Sequence, residues 1–370
     1  MTSKTKIFKF AELFCGPGGL GLGAISSSVE DGKGRTYKIK SVWANDIDAD
    51  TCNTYALNLH KGETKNIICS PVEKIDFSTI PKFDALAFGF PCNDFSVVGE
   101  QKGFNGKFGP LYTYGVKAIE SHKPLWFIAE NVGGLQSANS GKAFAKILED
   151  LSLAGDGYTL TTHLYKFEDY GVPQTRHRIV IVGFRKDLNL IFKVPAPTTQ
   201  GKHVTSKSAI DDPPIPPDAH NNEMTTQSMT VIERLSHIPP GENAWYEGIP
   251  KHLQLNVLKT RMSQIYKRLH PDRPAYTITG SGGGGTHGYH WNENRALTNR
   301  ERARLQTFPD NFIFVGSKES VRKQIGMAVP PRGAQAIVTA ILKTFAGLPY
   351  ASVKPSIVNN NNQEKLFKAV

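Results

Sequence analysis

The residue best suited to covalent chemistry in this chain is Cys92, in Gly89-Phe90-Pro91-Cys92-Asn93-Asp94-Phe95-Ser96. It follows the apolar run Phe83–Phe90, the pattern of a strand buried on both faces. Cys92 is therefore expected in a loop at the carboxyl end of a central strand, where Pro91 stiffens the approach. A loop thiol can be reached by substrate, and nearby cations or free N–H groups favour its nucleophilic, ionised form. Free cysteines are more often buried and inert, and Cys15, Cys52 and Cys69 keep that reading. Glu130, in Glu130-Asn131-Val132, ends the next apolar run, Trp126–Ala129. Its carboxyl would neighbour the Cys92 loop if the two strands are adjacent. Partial burial would raise its pKa and make it a proton donor near neutral pH. Alone, it reads equally well as a capping or loop carboxylate. Gln174-Thr175-Arg176-His177-Arg178 precedes a strand over Ile179–Phe184. Arginines two apart at a strand start share a side. Both could meet a polar base edge or a phosphate, or simply be solvated.

A second group of residues is suited to binding a nucleoside. Phe10-Ala11-Glu12-Leu13-Phe14-Cys15-Gly16-Pro17-Gly18-Gly19 reads as a strand, a glycine turn and the start of a helix. Glycines let a ligand approach the backbone, and a helix start offers free N–H groups. Asp46, ending the next strand, could accept hydrogen bonds from a ribose diol. In doubly wound sheets, ligands sit at these strand ends. The turn could also exist for tight packing alone. These features do not separate a nicotinamide cofactor from S-adenosylmethionine.

The elements that must position these groups alternate. Strands are expected near Phe8–Phe14, Lys38–Ala44, Phe83–Phe90, Trp126–Ala129, Tyr158–Leu164 and Arg178–Phe184. Helices are expected over Leu20–Ser28, Asp48–His60, with Asp48 as N-cap, and Lys142–Leu153. Such alternation implies an α/β fold with a mostly parallel sheet covered on both sides. The character changes after Asp187. Residues 195–220 are rich in Pro, Thr, Ser and Asp. Residues 221–294 mix short polar stretches with aromatic residues and the run Gly280-Ser281-Gly282-Gly283-Gly284-Gly285. A helix pattern returns at the Thr298-x-x-Glu301 capping box, and a last helix spans about Gly333–Phe345.

With 370 residues, the chain is long enough for one large domain and a smaller one. Lys plus Arg total 44 against 33 for Asp plus Glu, a formal charge of +11. That excess favours an anionic partner such as nucleic acid without requiring one. The four cysteines form no C-x-x-C pair, which argues against zinc, and they are too few for a disulfide framework. No apolar run approaches membrane-span length, and the N-terminus has no signal-peptide core. A soluble cytoplasmic protein is the default expectation.

Taken in order, the segments resemble the C5-cytosine DNA methyltransferases, chiefly the bacterial restriction–modification type, from about Phe10 to Phe345. The anchors are the Phe14–Gly19 turn, Gly89–Cys92, Glu130–Val132 and Gln174–Arg178. To these are added Arg295–Glu301 through Leu305-Gln306-Thr307-Phe308-Pro309-Asp310, and Gln324-Ile325-Gly326-Met327-Ala328-Val329-Pro330-Pro331. The resemblance implies a Rossmann-like S-adenosylmethionine-dependent domain plus a smaller, irregular target-recognition domain. It implies a catalytic set of Cys92, Glu130, Asn131, Arg176 and Arg178. Cys92 would attack carbon 6 of a cytosine flipped out of the duplex. Glu130 would protonate ring N3, Arg178 would hold O2, Arg176 would support loop and ring, and Asn131 would orient the site. Phe14, Gly16, Gly18, Gly19, Leu20, Asp46, Ile47, Pro91, Met327 and Ala328 would contact the cofactor, S-adenosylmethionine or its product S-adenosylhomocysteine. Asn93, Ser96, Arg273, Thr277, Gly282 and Gly283 would face DNA. Lys202, Lys207, Lys259, Arg261, Lys267, Arg268 and Arg273 are candidate phosphate contacts. No metal is implied. The partners implied are double-stranded DNA and a cognate restriction endonuclease, for a monomeric bacterial cytoplasmic protein.

The expected division is residues 1–187 for cofactor binding and catalysis and 188–310 for target recognition. Residues 311–350 would return to the catalytic domain, and 351–370 would form a disordered tail. Four positions depart from the family pattern. Glu12 replaces Asp, Asn93 replaces Gln, Pro71 stands where an Asp often meets the adenine amino group, and Met327 replaces Asn. Three other readings remain. An RNA cytosine methyltransferase is disfavoured by the missing Cys-Phe-Thr signature. A non-catalytic DNA binder has no need of a nucleophile. A dinucleotide oxidoreductase does not account for the Phe-Pro-Cys loop.

Overall fold

The computed structural model describes residues 4–90, 111–256, 262–280 and 282–357, with backbone alone for 137–140. The chain opens with β1 (Lys4–Leu13), α1 (Gly19–Ile25), β2 (Ser28–Glu30), β3 (Arg35–Asp46), α2 (Ala49–Leu59) and β4 (Ile67–Cys69). It continues through β5 (Ala85–Gly89), α3 (Tyr112–His122), β6 (Trp126–Val132), α4 (Lys142–Leu153), β7 (Tyr158–Lys166) and β8 (His177–Arg185). The less regular middle holds β9 (Val194–Pro195), α5 (Ser206–Asp211) and α6 (Met229–Ser236). The chain then forms α7 (Asn299–Leu305), α8 (Lys318–Met327), α9 (Pro331–Phe345) and β10 (Ser352–Val353).

The large sheet runs β2-β3-β1-β5-β6-β8-β7, with β4 added beside β3. β4, β3, β1, β5 and β6 are parallel neighbours, while β8 is antiparallel to both β6 and β7. Side chains alternate between the two faces, as period-two geometry requires. Phe8, Phe10, Ala85, Ala87, Trp126 and Ile128 enter one core, which α1 and α9 cover. Ala11, Leu13, Leu86, Phe88, Phe127 and Ala129 enter the other, with Ala143, Ile147 and Leu151 of α4. A strand apolar on every position is what two covered faces demand. A third core joins Leu269, Ala275, Ile278 and Trp291 of the middle region to Leu305, Phe308, Val321 and Ile325 around α7 and α8.

The helix boundaries have local causes. Asp48 caps α2 by accepting from the Thr51 amide at 2.9 Å. Thr298 and Glu301 form a reciprocal capping box on α7. Two consecutive prolines, Pro330 and Pro331, separate α8 from α9, and Pro331 occupies the first helical turn, where its missing N–H costs nothing. Of the most apolar part of 318–345, 67% is buried inside the fold, as befits a core helix pair.

Residues 351–357, assigned from sequence to a disordered tail, are ordered instead. β10 pairs antiparallel with β9, and Ile357 is buried against Thr162 in the first core. The polar composition beyond Ser352 conceals one apolar residue and a short strand, too little periodicity to read.

Candidate active site

β5 and β6 are adjacent and parallel, with Gly89 opposite Glu130. The Glu130 carboxylate therefore stands at the point where β5 ends. A Cβ on Gly89 would lie 3.1 Å from Glu130 Oε2, so this glycine leaves the carboxylate its space. The next residue of β6, Asn131, donates from Nδ2 to the Phe90 carbonyl at 3.0 Å and accepts from the Val132 amide at 2.8 Å. Asn131 thus anchors the exit of β5. Pro91, Cys92, Asn93 and Ser96 lie beyond that exit and outside the described residues.

On the other flank of Glu130 runs β8. Arg178 Nε meets Glu130 Oε1 at 2.9 Å, and both side chains are largely buried. Burial raises the Glu130 pKa, and the Arg178 and Arg176 guanidinium groups oppose that rise without cancelling it. The result is a carboxyl that takes up a proton more readily than a solvated one, held beside a fixed positive charge.

Arg176 has a different place. It is 2% exposed, and its guanidinium donates to the Ile278 carbonyl at 3.2 Å and the Gly326 carbonyl at 3.1 Å. The expectation that it could meet a base edge or a phosphate is therefore corrected, because these donors already satisfy the protein's own backbone. Neighbouring groups add to the clasp. Gln174 accepts from the Ile278 amide at 2.8 Å and donates to Gln306 Oε1 at 3.0 Å. Thr277 Oγ1 donates to the Thr175 carbonyl at 2.6 Å. Glu168 accepts from the Arg176 amide at 3.3 Å and holds His177 Nε2 at 2.7 Å.

At the carboxyl end of β1, on the same edge of the sheet as the exit of β5, the chain turns through left-handed Phe14, Gly16 and Gly18, with φ of 52°, 55° and 96°. A left-handed Phe is uncommon, and such outliers gather at functional sites. Asp46 holds this turn, accepting from the Gly16 amide at 3.0 Å and from the Asp48 amide at 3.1 Å. A Cβ on Gly16 would meet nothing within 4 Å, so the turn presents bare backbone to open space. Ile47 is 68% exposed beside it, an apolar side chain without a core to enter. The late segment closes the far side, for a Cβ on Gly19 would lie 2.1 Å from the Val329 carbonyl oxygen.

A family model described as C-5 cytosine-specific DNA methylase matches residues 8–343. This chain belongs to the C-5 cytosine-specific DNA methylase family. It is an enzyme of the DNA (cytosine-5-)-methyltransferase type. The methylase is 58% identical over 352 residues to the Type II methyltransferase M.BbvI of Brevibacillus brevis, covering 94% of each chain. It is 41% identical over 347 residues to the Type II methyltransferase M.NgoFVII of Neisseria gonorrhoeae, covering 91% of this chain and 87% of the relative. Among solved structures, one from E. coli, described as a DNA modification methyltransferase encoded within a prophage, superposes with a TM-score of 0.69. Its sequence identity is 24%, covering 91% of this chain and 99% of that one, a likeness of fold.

Within the methylase, the structure gathers Glu130, Asn131, Arg176 and Arg178 at the junction of β5, β6 and β8. It gathers Phe14, Gly16, Gly18, Gly19, Asp46 and Ile47 around the turn. The Leu20 side chain is buried in the core with Phe10, and Ala328 is buried in the third core. Met327, one of the four departures from the family pattern, is 54% exposed at the end of α8. Of the expected DNA contacts, Arg273 is exposed and Gly283 has open space around it. Gly282 is packed instead: a Cβ there would lie 2.2 Å from the Arg322 guanidinium carbon.

Arg268 also departs from its expected role as a phosphate contact. It is 4% exposed and donates to the carbonyls of His290, Leu235, Ile238 and Glu293. Lys267 lies over the Tyr276 ring at 5.1 Å, and Lys259 and Arg261 fall outside the described residues. Sequence reasoning also missed the arginines of α7. Arg300 donates to the carbonyls of His220, Pro309 and Phe312, and Arg302 to those of Leu297 and His287. Arg304 pairs with Asp310 at 2.7 Å. Irregular chain has no ladder to satisfy its carbonyls, and forked guanidinium groups supply the donors. Part of the +11 charge is thus internal scaffolding. The alternation Arg300-x-Arg302-x-Arg304 was the only local signal.

Glu12, another of the four departures, is buried behind the turn and accepts from the Tyr55 hydroxyl at 3.1 Å. Burial raises its pKa from 4.5 to about 8, with Asp46 adding to the rise and the Tyr55 hydrogen bond opposing it. The folded form thus prefers a protonated Glu12. Its contribution is fully present below the ordinary pKa and is lost as pH rises through about 8. Glu12→Gln should abolish that loss. The melting temperature of the wild type should fall between pH 5 and pH 9 relative to the variant, a gap of roughly 4 kcal/mol at the alkaline end. Parallel pH profiles for the two proteins would assign the titration elsewhere.

Proposed function

We propose that the methylase transfers a methyl group from S-adenosylmethionine to carbon 5 of a cytosine flipped out of double-stranded DNA, through a covalent bond from Cys92 to carbon 6. The observation that carries this reading is the placement of Glu130. A buried carboxyl with a raised pKa stands on β6 beside the end of β5, 2.9 Å from Arg178 on the adjacent strand β8, where the chain runs into Pro91-Cys92. An acid there can share a proton with ring N3 while a thiolate adds to carbon 6. Arg178, held by Glu130, presents a fixed cation to the cytosine O2. Asn131 keeps the exit of β5 in register with both.

The donor-side crevice suits S-adenosylmethionine. Open space beside Gly16, the Asp46 carboxylate and exposed Ile47 offer backbone N–H groups, an acceptor for a ribose diol and an apolar face for a purine. When bound, S-adenosylmethionine would supply an electrophilic methyl on a sulfonium. Addition of Cys92 breaks the ring's aromaticity and makes carbon 5 nucleophilic enough to take that methyl. Loss of the carbon 5 proton to a base or water, with cleavage of the Cys92–carbon 6 bond, restores the aromatic ring and the thiolate. Flipping costs a few kcal/mol of unstacking, which contacts to the duplex offset.

The middle region, anchored to β8 through Arg176, Gln174 and Thr277, is assigned to target recognition, with exposed Arg273 and Gly283 toward DNA. The names of the type II relatives support a role in a restriction–modification system; a cognate endonuclease as functional partner and a monomeric, cytoplasmic enzyme belong to the same proposal. Expression in a host without cytosine methylation, followed by mapping of modified bases, should yield 5-methylcytosine in one short sequence motif. Unmodified genomic DNA from folded, cofactor-binding protein would overturn the reading in favour of a non-catalytic binder.

A further inference from the structure

Two thiols outside the proposed chemistry meet at the segment that holds the donor crevice. Cys52 lies in the first turn of α2 and is buried, whereas Cys69 ends β4 and is exposed. β4 pairs with β3 so that Cys69 stands opposite Asp46. Cys52 Sγ donates to the Asp46 carbonyl at 3.5 Å, and Cys69 Sγ donates to the Ile47 carbonyl at 3.7 Å. The two sulfurs therefore converge on consecutive carbonyls of one short segment, Asp46–Ile47. They also interact with each other, and burial together with the neighbouring Cys69 pushes the Cys52 thiol up. Ser70, directly after Cys69, donates its amide to the Asp46 carbonyl at 3.0 Å, which ties β4 to the same segment.

The geometry points to Cys52 and Cys69 as a reversible dithiol whose oxidation by a hydroperoxide cross-links α2 to β4 across the Asp46–Ile47 segment. Exposed Cys69 is the sulfur a peroxide reaches. Its thiolate attacks one peroxide oxygen, the O–O bond breaks, a sulfenic acid forms and hydroxide leaves as water. The Cys52 sulfur then attacks Cys69 sulfur, the S–O bond breaks, and the departing hydroxide takes the Cys52 proton as a second water. Two thiols are oxidised to one disulfide while one peroxide is reduced to two waters. The bridge has no S–H to donate, so the Asp46 and Ile47 carbonyls lose both sulfur donors. The segment that presents the Asp46 carboxylate and the Ile47 side chain then relaxes. The bridge stands independently of the proposed function; its effect on the cofactor rests on that reading.

The full-length enzyme, treated with stoichiometric hydrogen peroxide and then alkylated, is digested and mapped by mass spectrometry. S-adenosylmethionine binding is measured by calorimetry before oxidation, after it, and after dithiothreitol. The expected result is a linked Cys52–Cys69 peptide and a cofactor affinity about ten-fold weaker, restored by reductant. Cys69→Ser keeps a donor to the Ile47 carbonyl, so it should bind like the reduced wild type and be insensitive to peroxide. Sulfinic acid on Cys69 with a free Cys52 would overturn the dithiol. A linked peptide with unchanged affinity would overturn its effect on the crevice. If the reduced enzyme bound no S-adenosylmethionine at all, the cofactor reading would fail while the peptide map still decided the bridge.

Discussion

Cys92→Ser should lose methylation activity by roughly four orders of magnitude or more, because a serine hydroxyl does not ionise as a thiol does. The same variant should no longer be trapped covalently on duplexes carrying 5-fluorocytosine, in which the departing proton is replaced by fluorine. Binding to the unmodified duplex should persist, since Asn131, Arg176 and Gln174 frame the region without touching the sulfur's chemistry. The pair of readouts is what gives the experiment its force. Loss of both trapping and binding would describe a damaged fold, whereas trapping that survives would move the nucleophile to another residue.

Glu130→Gln is the second large effect, and here the geometry sets the expectation. The amide keeps the shape of the side chain between Gly89 and Arg178 but has no proton to give to ring N3. A lost general acid lowers the rate by about 100- to 10,000-fold. Because burial raises the Glu130 pKa, the wild-type rate should carry an alkaline limb, falling as pH passes that raised value and the acid form is depleted. The variant should be slow and lack that limb. A variant with the wild-type rate and pH profile would place the acid elsewhere.

Much of this site could be read from residue order. The alternation of strand and helix, the N-cap Asp48, the helix Lys142–Leu153 and the capping box at Thr298 all have local causes, and all stand in the structure. The adjacency of β5 and β6, on which the Glu130 reading depended, follows from the same alternation. The parts that were not legible depend on distant partners. β2 and β4 span three residues each, too short for periodicity to show. β8 inserts antiparallel between β6 and β7, a choice made by packing rather than local pattern. Arg176 reads as a solvated or ligand-facing cation because its carbonyl acceptors, Ile278 and Gly326, lie more than a hundred residues away in sequence. Arg268 was misread for a related reason, since its carbonyl acceptors lie 22 to 33 residues away, beyond the reach of a local pattern. A guanidinium's burial is decided by which carbonyls lack partners, and single-sequence patterns carry no trace of that.

The attachment of the middle segment to β8 has an evolutionary corollary. Arg176 and Gln174 grip the amide and carbonyl of Ile278, and Thr277 reaches a carbonyl in return. The two framework side chains grasp main-chain atoms that every residue but proline possesses. Mutational drift along this stretch can therefore explore new side chains while the handhold stays intact. Where the chain passes Gly326, at which a Cβ would fall 1.9 Å from the Gly280 nitrogen, and at Gly282 against Arg322, residue identity is dictated by space. A lineage built this way can diversify what it reads without renegotiating how it reacts.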